Sequence, residues 1–467
     1  MVLQTDAGAS RARSALPRVA LRHNAPPMSV DGERIAGWIE ALARRPEEVA
    51  DIFIETRRSL TIDWKDGVPS RVRASAEGGL AARCADRSVE RLAFVSEANE
   101  GGAREAIRNL QIELDREPLP VKPPRAAREE KDEGSLQPDR WIRRLTAVLT
   151  RHVPRHRLRW TLTEVQREVI PAHHPPVSFV RRLVSLEGSF VAASRHVDES
   201  RLFSFHAPDA EPATEELRLA LQRASEPHDA PAACEDGEKD VVLAEGCAAV
   251  LFHEILSHPL EAGCESPWTS LEQAHVAVPE LDVRDDATRL DLFGGYEWDD
   301  EGIRPRSVKL LDSGRLAGRL TSRVHATKDG SNGHGRRAAA WDAPLARGAN
   351  ILVAGGQTTT ADMARRLGSG LWITDLDRGS VEPVSGRFRV RFPRARRVRR
   401  GRLADECGPG LLAGDMLTTL QSIEAGLGRE VRVYRPLGWC SRDGQVVPVQ
   451  GASPDVLVRR VAVRALS

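Results

Sequence analysis

Between residues 115 and 138 the sequence is rich in proline and mixes charges of both signs without apolar periodicity, which is the composition of a linker. A second loose stretch covers residues 225–237. No single hydrophobic core can be drawn across these interruptions, and 467 residues exceed what one ordinary core organises. The chain is therefore read as separate units. Residues 1–28 form a tail expected to be disordered. Residues 29–236 form an N-terminal α/β domain containing the charged linker 115–138. Residues 237–467 form a β-rich, antiparallel C-terminal domain. The expected fold class is α+β.

Patterning inside the units supports this division. Ile35, Trp38, Ile39, Leu42 and Ala43 fall at helical spacing over residues 31–45, and Pro46 stops the helix. Residues 50–55, 60–65 and 79–84 read as three strands separated by turns such as Asp66-Gly67, and 103–114 as a helix after Gly101-Gly102. Helices are expected at 140–150 and 214–224, with β segments over 158–197 between them. Farther along, strands are expected at 307–311, 315–320, 350–353 and 387–392. Helices are expected at 248–256, 360–367 and 412–423.

Charge and hydropathy remove several function classes. With 68 basic and 67 acidic residues the net charge is +1, so the footprint of a nucleic-acid binder is missing. The arginine-rich run 394–402 alternates like an exposed strand and hairpin. No run of about eighteen apolar residues exists, so no membrane span is expected. Residues 1–27 lack the apolar stretch of a secretory signal. Six cysteines without a CxxC pair suit reduced thiols in a cytoplasmic protein better than a disulfide framework. Cys84, Cys234 and Cys247 read as core or loop thiols, and Cys264 as structural or exposed. His173-His174 reads as a solvated turn, and Asp299-Asp300-Glu301-Gly302 as a turn supporting an active-site rim. Residues 330–335 lack the lysine of a phosphate loop and read as a flexible loop near the cleft.

The chemistry concentrates in residues 241–261, VVLAEGCAAVLFHEILSHPLE. An apolar helical segment delivers His253, Glu254 and then His258. Neutral imidazoles suit Zn²⁺, which brings a bound water towards neutral pKa. An adjacent carboxylate can then act as general base. The two histidines are five residues apart, about 140° around a straight α-helix. They can face one ion only if the helix bends, bulges or ends between them, and Ser257 and Pro259 supply a reason for such a distortion. Cys247, Cys264, Cys407, Cys440 and His275 are all candidates for a third ligand, and spacing does not choose among them.

HEILSHPLE resembles the HExxxH motif of the TldD/PmbA metallopeptidase family, in its TldD-like, metal-binding branch. The resemblance continues in order through ADIFIETRRSLTIDWKDG, YEWDDEGIRPRSVKLLDSGRLAGRL, VEPVSGRFRV and, near the C-terminus, GWCSRDGQVVPVQGASP. It implies Cys440 as the third zinc ligand beside His253 and His258, with Glu254 as the base. It also implies dimers, of this chain or with a metal-free PmbA-like paralogue, and an extended, unfolded peptide as substrate, cleaved with low sequence selectivity. A non-catalytic partner subunit or peptide-binding scaffold is the alternative within the same family. Three features depart from the family pattern: Ser257 stands where glycine is typical, Pro259 where a small residue is usual, and Tyr434-Arg-Pro-Leu-Gly438 where the family has a glycine-rich segment near the cysteine. All bear on the shape of the pocket.

Overall fold

The computed structural model describes residues 32–40, 42–43, 45, 48–65, 68–114, 156–192, 195–197, 203–205 and 232–466. The expected tail, the linker and the helices at 140–150 and 214–224 lie outside these residues.

Seven strands build the N-terminal sheet: β1 (Val49–Lys65), β2 (Val68–Ala85), β3 (Glu90–Val95), β4 (His156–Pro171), β5 (Val177–Ala192), β6 (Arg195–Val197) and β7 (Phe203–Phe205). They are antiparallel in the order β3-β2-β1-β4-β5-β6, with β7 also paired to β5. Helices α1 (Gly32–Glu40) and α2 (Glu100–Glu113) cover one face. Because side chains alternate along a strand, Ile52 and Ile54 join Ile35, Ile39, Ile107 and Leu110 on that face. Phe53 points the other way and packs on Val169 of β4 and on Ala340 of the following unit.

Residues 50–55 and 60–65 are thus one continuous strand and not two. The polar stretch Arg57-Arg58-Ser59 stays in register between β2 and β4, where Arg57 pairs with Glu55 at 3.0 Å and with Glu77 at 3.7 Å and the Ser59 hydroxyl lies 3.3 Å from that of Thr163. Helix α1 also ends at Glu40, short of the expected residue 45, where a tight turn returns the Leu42 N–H to the Ile39 carbonyl.

The C-terminal half carries eighteen further strands. The first nine are β8 (Gly237–Leu243), β9 (Val283–Asp286), β10 (Ser307–Asp312), β11 (Arg315–Leu316), β12 (Gly335–Arg336), β13 (Leu345–Ala346), β14 (Asn350–Val353), β15 (Gly370–Ile373) and β16 (Arg378–Glu382). The remaining nine are β17 (Arg387–Phe392), β18 (Ala395–Arg399), β19 (Arg402–Cys407), β20 (Gly410–Asp415), β21 (Arg432–Tyr434), β22 (Trp439–Arg442), β23 (Gln445–Pro448), β24 (Gln450–Ser453) and β25 (Val456–Ala465). An eight-stranded sheet runs β16-β17-β20-β25-β8-β15-β18-β19, and a six-stranded one runs β11-β10-β9-β14-β24-β21. Both are mixed, with parallel pairs at β8–β15 and β14–β24. One core draws on both, joining Val241, Leu371 and Phe388 of the larger sheet to Val283 and Ile351 of the smaller. Helix α3 (Ala248–Phe252) lies in that core with every residue buried.

Other local expectations shift here. Helix α4 (Thr360–Leu367) begins and ends as its pattern suggests, with Thr359 capping the Asp362 N–H. The expected helix at 412–423 divides: residues up to Asp415 finish β20, and α5 (Met416–Gln421) starts only where Asp415 accepts from the Thr418 N–H. Only Arg315 and Leu316 of the 315–320 stretch are paired as strand. The arginine-rich run forms the β18–β19 hairpin, in which Arg397 is paired with Asp405. The stretch 330–335 is not a loose loop, because His334 is wholly buried with Nε2 3.4 Å from Asp285 and Asn332 accepts from the Thr321 N–H.

The N-terminal sheet is fastened to the C-terminal half by buried ion pairs. The Arg83 guanidinium is fully buried between Asp51, at 3.1 Å from Nε, and Glu301, at 2.8 Å. Arg167 joins Glu55 at 2.8 Å to Asp300 at 2.6 Å. Asp300 and Glu301 are therefore anchors for the other sheet, a role the expected turn at an active-site rim does not describe. Arg83→Ala removes the guanidinium shared by two buried carboxylates and is expected to destabilise the protein by about 3–5 kcal/mol. Equilibrium denaturation measures this, and a loss below about 1 kcal/mol would show that the carboxylates find other partners.

Candidate metal centre

The approach to the site is short and strongly determined. Strand β8 ends in a turn at Glu245 and Gly246, which have φ of 54° and 89°. A Cβ on Gly246 would lie 2.5 Å from the Arg432 carbonyl oxygen, so only glycine fits there. The chain then enters α3, whose uniformly apolar sequence suits a helix enclosed on all sides.

At His253 the helix changes pitch. Residues His253–Ser257 form a π turn, closed by a bond from the His258 N–H to the His253 carbonyl five residues back. Pro259 then falls in the first turn of a short 3₁₀ helix, His258–Leu260, where its missing N–H costs nothing. The π turn brings residues five apart onto one face, and the imidazoles of His253 and His258 lie with centroids 4.7 Å apart.

Cys440 arrives from β22, opposite Val447 on β23. The hairpin between them turns at Asp443 and Gly444, both at positive φ, the chemistry preferred for a two-residue connection. This places the Cys440 sulfur 3.1 Å from Nε2 of His258. One ligand atom each from His253, His258 and Cys440 lies within 4.8 Å of the others, and all three residues are buried. Nε2 of His253 is buried without a hydrogen-bond partner among the described residues. Leaving such an atom unsatisfied is costly, and a cation would satisfy it. Two imidazoles and a thiolate are a donor set that fits a borderline-soft divalent ion.

The electrostatics favour a thiolate. Burial alone would raise the Cys440 thiol, but His258 and His253 outweigh it and hold the group well below its ordinary range. Arg347, itself wholly buried, donates to the Cys440 sulfur at 3.1 Å and to its carbonyl at 3.0 Å. Burial opposes charge on His258 as well, yet Glu261 and Cys440 raise it well above the usual imidazole value. Glu261 lies 3.3 Å from Nδ1 of His258 and accepts from Arg442 at 2.6 Å and from the Gly348 N–H at 2.9 Å. Burial is again outweighed, by His258, Arg347 and Arg442, and the Glu261 carboxyl is held down to about 2. Glu261 thus fixes the ring of His258 from behind.

Glu254 faces a different environment. It is 6% exposed, and burial raises its pKa despite the two histidines. Gly379 of β16 packs directly over it: a Cβ there would meet Oε1 at 2.4 Å. Ser257 and Pro259 also find places. Ser257 donates to Asp285 at 3.4 Å and fills the space beside Gly348, and the Pro259 carbonyl accepts from Ser266 at 2.7 Å.

The other candidate ligands lie outside this group. Cys247 is buried with its sulfur on the Ile373 carbonyl, Cys407 sits against Cys234, Cys264 turns to the Glu265 carbonyl, and His275 is exposed. Sequence reasoning missed Glu261, Arg347, Arg442 and Gly379. Glu261 had a signal, since a residue three beyond His258 shares its helical face. The other three had none, because they come from distant segments.

Comparison with known proteins finds similar chains. The profile described as the PmbA/TldA metallopeptidase C-terminal domain matches residues 236–465. A protein named metalloprotease from Methanothermobacter thermautotrophicus is 29% identical over 255 residues, covering 54% of this chain and 54% of its own. A zinc metalloprotease TldD homolog from Saccharolobus solfataricus is 23% identical over 235 residues, covering 49% and 52%. The chain spans about half the length of the curated relatives it matches. In fold it is similar to the crystal structure of TldE from Thermococcus kodakarensis, at a TM-score of 0.70 and 16% identity, with 92% of this chain and 100% of that one covered. Among the described residues no helix is long and apolar enough to cross a membrane.

Proposed function

We propose that this chain, whose residues 236–465 match the PmbA/TldA metallopeptidase C-terminal domain, is a zinc-dependent peptidase of the TldD/PmbA family, in its TldD-like, metal-binding branch. The observation that carries the reading is the convergence of His253, His258 and Cys440, with an unpartnered His253 nitrogen and Glu254 buried alongside. These three residues would hold the ion. When bound, zinc supplies Lewis acidity towards a scissile carbonyl and acidity to a water.

The chain's own groups do the rest. Glu254, with its pKa raised by burial, takes a proton from the attacking water and returns it to the nitrogen of the leaving amine. Gly379 leaves room for its carboxylate. Glu261 orients His258, while Arg347 holds the thiolate of Cys440 in place. The substrate is proposed to be an extended, unfolded peptide, because Glu254 and His258 are only 6% and 8% exposed and a folded surface could not reach them. Main-chain pairing to a strand would then hold it with little sequence selectivity. The chain is proposed to act as a dimer, with itself or with a PmbA-like paralogue.

Metal removal and return is the direct test. The purified chain is expected to carry about one zinc, and a chelator should abolish cleavage of an unfolded peptide until zinc is added back. A chain that takes up no zinc would support the non-catalytic scaffold instead. Gly379→Ala gives a finer check. The added methyl displaces the Glu254 carboxylate, and turnover should fall by about 10²-fold with zinc content unchanged. Unaltered turnover would mean that the carboxylate has freedom this packing does not suggest.

A further inference from the structure

Away from this site, the sulfurs of Cys234 and Cys407 lie 2.9 Å apart although the residues are 173 positions apart in sequence. Both side chains are buried, at 5% and 0% exposure. Cys407 ends β19, which is the edge strand of the eight-stranded sheet. An open edge presents unpaired backbone groups and is normally covered. The cover here is the segment entering the C-terminal sheets: Ala232 bridges Cys407 in parallel, and the Gly408 N–H donates to the Ala232 carbonyl at 3.1 Å. Arg397 adds a bond to the Ala233 carbonyl at 2.8 Å. Beyond these few bonds, Ala232 and Ala233 are exposed and contribute no apolar anchor. The two thiols are the buried contact that holds the cover down.

We propose that Cys234 and Cys407 form an oxidation site, at which a hydroperoxide converts the thiol pair to a disulfide that staples this segment to the sheet edge. The roles of the two sulfurs differ. The Cys234 thiol donates its hydrogen bond to Cys407, which lowers the pKa of Cys407 and makes it the better nucleophile. The Cys407 thiolate attacks one oxygen of hydrogen peroxide, breaking the O–O bond and giving a sulfenic acid and hydroxide, which is protonated to water. The Cys234 sulfur then attacks the sulfenic sulfur, forming the S–S bond and expelling a second water as its own proton is lost to the departing oxygen. Two thiols are oxidised and one peroxide is reduced to two waters. The sulfurs need close only from 2.9 Å to a bond of about 2.0 Å.

The test uses the full chain with zinc salt present, treated with equimolar hydrogen peroxide, then denatured, alkylated and mapped by mass spectrometry. The expected product is a cross-linked peptide pair containing Cys234 and Cys407, lighter by two hydrogens and reversed by dithiothreitol. Closing so long a loop should raise the midpoint of thermal unfolding by about 5 °C. Cys234→Ala and Cys234→Ser should both lose the cross-link and the rise. Recovery of Cys234 and Cys407 as alkylated thiols from oxidised wild-type protein overturns the proposal. So does a thermal shift that persists in both variants. Neither result depends on whether the chain hydrolyses peptides.

Discussion

Glu254→Gln is expected to lower hydrolysis of an unfolded peptide by about 10²–10⁴-fold while the zinc content stays at the wild-type level. Glutamine keeps the volume that fits beneath Gly379, where a single added Cβ would already collide with the side chain. The fold and the three metal-binding residues should therefore be undisturbed. What disappears is the capacity to accept a proton, because an amide has no basic oxygen at neutral pH. The loss should fall on kcat with little change in KM, since Glu254 acts on the reacting water and not on the bound chain. Paired measurements of kcat/KM and of zinc per chain check this. Cleavage at the wild-type rate would remove Glu254 from the reaction. Loss of zinc together with activity would make it a structural residue.

Cys440→Ser is the second large effect. Weakening the shell behind a ligand typically costs 10–100-fold in metal affinity, and losing the ligand itself should exceed that, so zinc affinity is expected to fall by more than about 100-fold. The hydroxyl matches the thiol in position but does not ionise near neutral pH, so the charge that Arg347 faces at 3.1 Å is lost. A buried guanidinium then stands beside His253 and His258 without that counter-charge, which opposes a second cation entering the site. Competition with a chromophoric chelator measures the affinity. If Cys440→Ser holds zinc as tightly as the wild type, the third ligand lies elsewhere, and Glu254 or Glu261 would be the next residues to replace.

Much of the architecture could be read locally. Strand β14, helix α4 and strand β17 begin and end where their patterns say, because each carries its own periodicity and its own stops, such as the cap of Thr359 on α4. The reading failed where neighbours supplied what the local segment lacked. Strand β1 runs through Arg57-Arg58-Ser59 because β2 and β4 pair with it on both sides. Residues 412–415 belong to a strand because β17 and β25 flank them, despite a helical pattern continuing to residue 423. The buried arginines of the junction left no trace at all, since a charged residue in a sequence looks solvated until its partner is known.

For the site, the resemblance carried by the order of the segments named His253, Glu254, His258 and Cys440 as candidates. Helical geometry even showed that a five-residue spacing needs a distorted helix if both rings are to face one ion, with Ser257 and Pro259 offering a reason for one. Only the folded chain decided that the distortion is a π turn. It alone brought a hairpin 182 residues past His258 to within 3.1 Å of that ring. It alone set Glu261, Arg347 and Gly379 around the group. The reason is physical: a residue's type and its neighbours in sequence fix which chemistry is available, whereas burial, charge pairing and close approach arise between segments that meet only when the two C-terminal sheets close over α3.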